Sequence, residues 1–221
     1  MRLLPRLLVL CSCIPLLFAA ETAPVTTIMA QLGKQLLHDD FNRADLKPNW
    51  GTNKGEYQIV DGQLRVAERE ADKHHAAASW KNSVTDVVVQ FRFRLDNSKW
   101  MGLSFSDKEH VARIYIYQNH IDIAKMQGMG PTTKKTLLNS IKIDLQPDAW
   151  HTARLEIVGN EFLAQIDDLA PMYGSAEGIN VSKGRVALIS GTQYAWYDDI
   201  QVWEATLHPE WEARKAQVVK K

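Results

Sequence analysis

From Val84 to Met126 four consecutive segments alternate apolar and polar residues. A two-residue period is the signature of a half-solvated β-strand, whose successive side chains point to opposite faces. The first segment turns Val87, Val89, Phe91, Phe93 and Leu95 to one side and Gln90, Arg92 and Arg94 to the other. The second carries Met101, Leu103 and Phe105 on its dry side, with Ser104 between them. In the third, Ile114 and Ile116 form the core side, so Arg113, Tyr115 and Tyr117 point away; in the fourth, Ile121 and Ile123 point inward and His120 and Asp122 outward. If these segments are neighbours, their arginines and tyrosines gather on the open side of one sheet as a polar groove.

Strand signals recur along the rest of the chain. Tyr57 to Val60 and Gln63 to Val66 flank Asp61-Gly62, and Trp150 to Val158 and Glu161 to Asp167 flank Gly159-Asn160. Such pairs tolerate positive φ and predict tight hairpins. Further strands are expected at Ala76 to Trp80, Ile141 to Leu145, Gly184 to Ser190 and Tyr197 to Glu204, with a loop over 128–139. Tyr197 and Ile200 are three apart while Ile200 and Val202 keep the two-residue period, so burial of both Tyr197 and Ile200 requires a bulge. Short strands without a long helical pattern predict an all-β fold, a two-sheet antiparallel jelly-roll sandwich. Pro209 followed by Glu210, Trp211, Glu212, Arg214 and Lys215 predicts a short C-terminal helical appendage.

The 221 residues fit one domain, and 45% apolar content with seven tryptophans supplies its core. Arg2 and Arg6 precede an apolar run that ends in Ala19-Ala20, which reads as a signal peptide over 1–20. A leader (21–36), the jelly-roll domain (37–204) and a tail (205–221) follow. This predicts a protein secreted or held in the periplasm or cell envelope, with no membrane span after cleavage. Loss of Arg2 and Arg6 leaves 24 of the 26 basic side chains against 26 acidic ones. A near-neutral chain gives no electrostatic case for nucleic acid. Cys11 and Cys13 both lie in the signal, so the mature core holds without disulfides.

Asp39-Asp40-Phe41-Asn42-Arg43, Asp45-Leu46, Trp50, Ile59 to Leu64, Trp150-His151, Val158-Gly159-Asn160 and Tyr197-Asp198-Asp199-Ile200 together form a pattern. It resembles the concanavalin A-like jelly-roll superfamily, including its laminin-G-like domains, and within it the 3-keto-disaccharide hydrolase family. That resemblance implies a sugar site on the concave sheet, and cleavage of glycosides oxidised at the 3-position. The family's glutamate-phenylalanine-arginine triplet corresponds here to Arg92-Phe93-Arg94. Its next motif corresponds to Trp100-Met101-Gly102 ending in Ser106, and its following glutamate and glutamine fall at Arg113 and Tyr115. The family's carboxylates are thus replaced.

Arg92, Arg94, Ser104, Arg113, Tyr115 and Tyr117 are the candidate ligand-binding residues: tyrosine faces stack on sugar rings and guanidinium groups supply fixed donors. An ordinary solvated sheet face with cross-strand pairs is the other reading. His120 and Asp122 are the only catalytic candidates. Glucanases of this fold carry paired acids on one strand, whereas Asp122 and Glu156 are single acids on separate strands. Asp40 and Asp199, within Asp39-Asp40 and Asp198-Asp199, are candidates for a structural calcium site, or else turn aspartates bonding to backbone amides. His74-His75 would point to opposite faces of a regular strand, and His151 reads as a packed or capping residue. The sequence therefore predicts a module that binds a carbohydrate or glycoconjugate, with a divergent 3-keto-glycoside hydrolase and an envelope interaction module as the alternatives.

Overall fold

A computed structural model describes residues 25–219. The expected signal peptide and both cysteines lie outside the described residues. Among the described residues fifteen strands and one α-helix follow one another. They are β1 (Ala30–Asp39), β2 (Gly51–Lys54), β3 (Glu56–Val60), β4 (Gln63–Ala67), β5 (Ala76–Val84), β6 (Val87–Arg94), β7 (Ser98–Ser106) and β8 (His110–Ile116). Then come β9 (His120–Gln127), β10 (Lys134–Lys142), β11 (His151–Val158), β12 (Glu161–Ile166), β13 (Met172–Ser175), β14 (Lys183–Thr192), β15 (Ala195–Leu207) and α1 (Trp211–Val219).

Two antiparallel sheets face each other. The first runs β13-β12-β11-β6-β15-β4-β3, with β1 also paired to β15; the second runs β10-β9-β8-β7-β14-β5-β2. Their inner faces bury one core that includes Val87, Val89, Phe91, Phe93, Met101, Leu103, Phe105, Ile114, Ile116, Ile121 and Ile123, as the alternation predicts. The jelly-roll sandwich is the expected architecture, and it carries the expected hairpins. Asp61 and Gly62 both take positive φ (52° and 72°), whereas in the other turn Gly159 alone does (57°). Tyr197 and Ile200 are both buried, and the register slips between Asp198 and Gln201 where Asp199 has φ 45°. That bulge is where β15 changes partners: Ala195 to Tyr197 pair with β4, and Ile200 onward with β1.

Three features differ from the sequence reading. First, β6 belongs to the first sheet while β7, β8 and β9 belong to the second, because the short turn after Leu95 carries the chain across the sandwich. Second, the stretch 128–139 is only half loop, since β10 starts at Lys134 and pairs along β9. Third, the leader supplies most of β1: Ala30 pairs with Leu207 and Asp39 with Ile200. Glu156, with no exposed surface, accepts hydrogen bonds from the amides of Ile28, Met29 and Ala30 at 2.9, 2.7 and 2.8 Å. The expected C-terminal helix is present as α1, and it is docked on the first sheet. Trp211 is fully buried beside Met29, Val88, Val158, Leu163 and Trp203, and its indole donates to Glu161 at 2.6 Å. A buried tryptophan hides roughly 150–250 Å².

Candidate functional site

The residues singled out by sequence fall into two groups on opposite faces of the molecule. Ser104, Arg113, Tyr115, Tyr117, His120 and Asp122 lie on or beside β7, β8 and β9, on the outward face of the second sheet. Arg92 and Arg94 lie on β6, on the outward face of the first sheet. The single groove expected from the sequence is therefore two surfaces. Alternation fixes which way a side chain points, not which sheet its strand joins.

On the second sheet, register aligns Gly102 with Tyr115 and Tyr115 with Asp122; one row along, Ser104 aligns with Arg113 and Arg113 with Ala124. The leader and α1 lie on the other sheet, yet these outward residues are well hidden: Ser104 is 2% exposed, Arg113 6% and Asp122 8%. They form a recessed floor with larger side chains standing over it. Arg113 donates through Nε to the Ser104 hydroxyl (3.3 Å) and through a terminal nitrogen to the Tyr115 hydroxyl (2.9 Å), which locks its planar fork in place. Ser104 is small enough to leave room for that guanidinium.

Aromatic rings cross this floor from strand to strand. The His74 and His75 rings stack at 4.1 Å in an irregular segment before β5, so they do not diverge as they would on a regular strand. The edge of His75 meets Trp100 (5.5 Å), Trp100 meets Tyr115 (5.4 Å), Tyr115 stacks on Tyr117 (6.4 Å), and Tyr117 stacks on His120 (4.0 Å). Trp100 lies flat over Gly191 of β14, where a Cβ would come within 2.1 Å of the indole nitrogen. Trp100, His75 and Lys135 are the members that sequence reasoning missed. Trp100 was legible, since it sits two residues before Gly102 on the outward parity of β7.

The charges on this face are arranged for holding rather than for proton transfer. Lys135 of β10 pairs with Asp122 at 2.7 Å and also sits 4.5 Å from the centroid of the Tyr115 ring. Burial alone would raise the Asp122 pKa, but hydrogen bonds from Lys135 and Ser140 and the Lys135 charge bring it below the ordinary carboxylate value. Asp122 is accordingly an anion at neutral pH. Among the described residues it is the only carboxylate at an outward-facing position of β7, β8, β9 and β14. Burial, followed by the charges of His74, Arg113 and His110, pushes the His75 imidazole down to about 3. It is neutral at neutral pH.

The outward face of the first sheet is built differently. Arg92 pairs with Asp198 at 3.1 Å and lies 4.9 Å from the Trp150 ring centroid; Arg94 lies between Trp150 (5.5 Å) and Trp196 (4.7 Å). The paired aspartates are engaged locally. Asp40 accepts from the Asn42 amide and side chain at 3.1 and 2.9 Å, and Asp199 accepts from His38 at 2.8 Å and Gln201 at 3.0 Å. Among the described residues no group of three or more His, Cys, Asp or Glu side chains is placed to hold a metal ion. His151 packs against Phe93 and bonds Asp167 at 2.7 Å.

No family model matches the chain, that of the 3-keto-disaccharide hydrolases included, and no curated protein matches its sequence. Solved structures do resemble it. The carbohydrate binding module CBM66 from Bacillus subtilis aligns over 71% of this chain and 96% of its own, with TM-score 0.59 and 12% identity. The kappa-carrageenase from Pseudoalteromonas carrageenovora, solved with an oligotetrasaccharide of kappa-carrageenan, aligns over 85% and 100%, with TM-score 0.59 and 12% identity. The Bacillus licheniformis β-glucanase aligns over 79% and 99%, with TM-score 0.55 and 9% identity. At such identities the likeness shows the fold alone, a two-sheet antiparallel jelly roll.

Proposed function

We propose that the outward face of the second sheet is a carbohydrate-binding surface and that the protein is a glycan-binding module rather than a hydrolase. The observation that carries this reading is the run of rings from Trp100 through Tyr115 and Tyr117 to His120, set over a floor in which Arg113 is fixed by Ser104 and Tyr115. Aromatic rings offer flat apolar surface to the C–H faces of sugar rings, while guanidinium and phenol groups reach hydroxyls or carboxylates. Structural neighbours that carry the words carbohydrate binding module, carrageenase and glucanase support a glycan partner. A partner outside the cell suits the signal-like residues 1–20.

Hydrolysis needs a second group. Glycosidases of the ordinary kind place two carboxyl groups about 5–9.5 Å apart, one of them able to give up a proton. Asp122 stands alone on these strands and is held as an anion by Lys135. His120, stacked on Tyr117, is better placed as part of the ring surface than as an acid.

A glycan array tests the reading. The wild-type chain is expected to bind a defined set of glycans, and Arg113→Ala and Tyr115→Ala to lose that set while keeping the fold by circular dichroism. Unchanged binding by both variants refutes it. Release of 3-keto-glucose from a 3-keto-disaccharide, abolished by Asp122→Asn, would establish the hydrolase instead.

A further inference from the structure

The first sheet carries a second, chemically different strip. Register places Arg65 of β4 opposite Trp196 of β15, and Trp196 opposite Arg94 of β6. The row continues to Trp150, the residue before β11, because His151 is paired with Phe93. Tyr194 adds a ring at the other end, 4.1 Å from the Arg65 guanidinium, so cations and rings alternate across the sheet. Trp196 is tied down by its indole bond to Asp96 at 2.8 Å.

Two properties make this strip unlike a solvated sheet face. Among the described residues Arg65 and Arg94 have no carboxylate within ion-pair distance; the Arg65 guanidinium has only the neutral Gln58 side chain, and the Arg94 guanidinium has no hydrogen-bond partner. The rings hold the guanidinium groups by cation–π contact but carry no net charge, so the positive charges are left unneutralised. The geometry points to a second binding site on this strip, for an acidic polysaccharide that carries carboxylate or sulfate groups. Arg65 and Arg94 lie two strands apart, about 9–10 Å at ordinary strand spacing. Each presents a planar fork suited to bidentate recognition of an oxyanion. Beyond Arg94 the strip ends at Arg92, which is paired with Asp198, and at a groove of about 630 Å³ whose lining mixes Arg154 and Gln165 with Asp167, Asp168 and Asp199.

A chain polymer fits these observations better than a flat anionic surface. Asp96 stands beside the strip and Asp167, Asp168 and Asp199 line the groove beyond it, so a membrane plane would meet these carboxylates, whereas a single chain can seat along Arg65 and Arg94 alone. The chain as a whole carries no net charge, so attraction is confined to the strip.

The site is independent of the glycan face proposed above, and the test separates the two. Alginate and dextran sulfate serve as probes, with neutral dextran, poly-glutamate and anionic phospholipid vesicles as comparisons. The full chain is expected to bind alginate or dextran sulfate but not dextran, and to release them near 1 M salt, where the screening length is about 3 Å. Arg65→Gln/Arg94→Gln should weaken that binding about tenfold or more while array glycans still bind the second sheet. Trp100→Ala should do the opposite. Retained array binding and an unchanged melting temperature show that the double variant is folded. Equal affinity of the folded double variant for the polyanions overturns the proposal, as does binding of poly-glutamate or vesicles at least as tight as that of the polysaccharides.

Discussion

Replacing Gly191 with alanine displaces Trp100 without deleting any ring, which makes it a direct probe of the proposed surface. Gly191 lies outside the left-handed region, so alanine is compatible with its backbone. Its Cβ, however, would stand 2.1 Å from the Trp100 indole nitrogen and 2.2 Å from the adjacent ring carbon. Restoring ordinary contact near 3.5–4.0 Å requires about 1.5 Å of movement. The indole must therefore lift away from β14 and loosen its contacts with His75 and Tyr115. Overpacking of this kind costs about 1–3 kcal/mol, a fall in melting temperature of about 2–12 °C for a chain of this size. Loss of a tryptophan anchor should weaken glycan binding about 10–100-fold. The assays are thermal unfolding and titration with an oligosaccharide chosen from the array. In Trp100→Ala/Gly191→Ala the clash is gone, so the double variant should be no less stable than Trp100→Ala alone yet still fail to bind. Gly191→Ala that binds as tightly as wild type refutes the reasoning. Gly102→Ala is a contrasting control, because its Cβ would fall 2.0 Å from the Ile114 carbonyl oxygen, and backbone cannot swing aside.

Lys183 has no exposed surface and donates to the carbonyls of Thr85 and Ile179; burial, opposed by Asp86, lowers its pKa from 10.5 to about 8. The unfolded chain keeps this proton to higher pH, so stability attributable to Lys183 should rise by about 2–3 kcal/mol between roughly pH 8 and 10. Urea midpoints should show that rise in wild type and not in Lys183→Met; the same slope in both would contradict it. Burial with nearby positive charge pushes His75 down to about 3 and His110 to about 4. Unfolded imidazoles charge near 6.5, so melting temperature should fall as pH drops from about 6.5 towards 4. His75→Gln/His110→Gln should flatten that fall. Glu156→Gln replaces one carboxylate oxygen with an NH2 group, which then faces either the Ile28 N–H or the Met29 and Ala30 N–H groups. Loss of the negative charge and of at least one of these bonds costs about 1.5–3 kcal/mol, and limited proteolysis should cut the segment before Ala30 sooner than in wild type.

Much of the fold was legible because burial on one face leaves a period in the chain. Val87 to Leu95, Ile114 to Ile116 and Ile121 to Ile123 point where their alternation says, and the three-residue step from Tyr197 to Ile200 announced its bulge. Sheet membership was not legible: Arg94 and Arg113 obey the same parity rule on strands that back onto opposite sides of one core. Contacts between residues far apart in sequence were hidden for the same reason. Glu156 looked like a lone surface acid until the Ile28 to Ala30 amides closed on it. His74-His75 looked divergent because a regular strand was assumed where the chain is irregular, and their place beside Trp100 depends on that irregularity. Parity did put Trp100 on the outward face, but only the three-dimensional arrangement shows its ring lying over Gly191 and against Tyr115.

The central claim is that the outward face of the second sheet is the glycan-binding surface. Backbone and indole NMR shifts recorded while an array-identified neutral oligosaccharide is titrated into the full chain test it most directly. The expected perturbations centre on Trp100, Arg113, Tyr115, Tyr117 and His120, with Trp150 and Trp196 of the first sheet unchanged. Shifts confined to Trp150 and Trp196, or none at any of these residues under saturating ligand, would contradict the account.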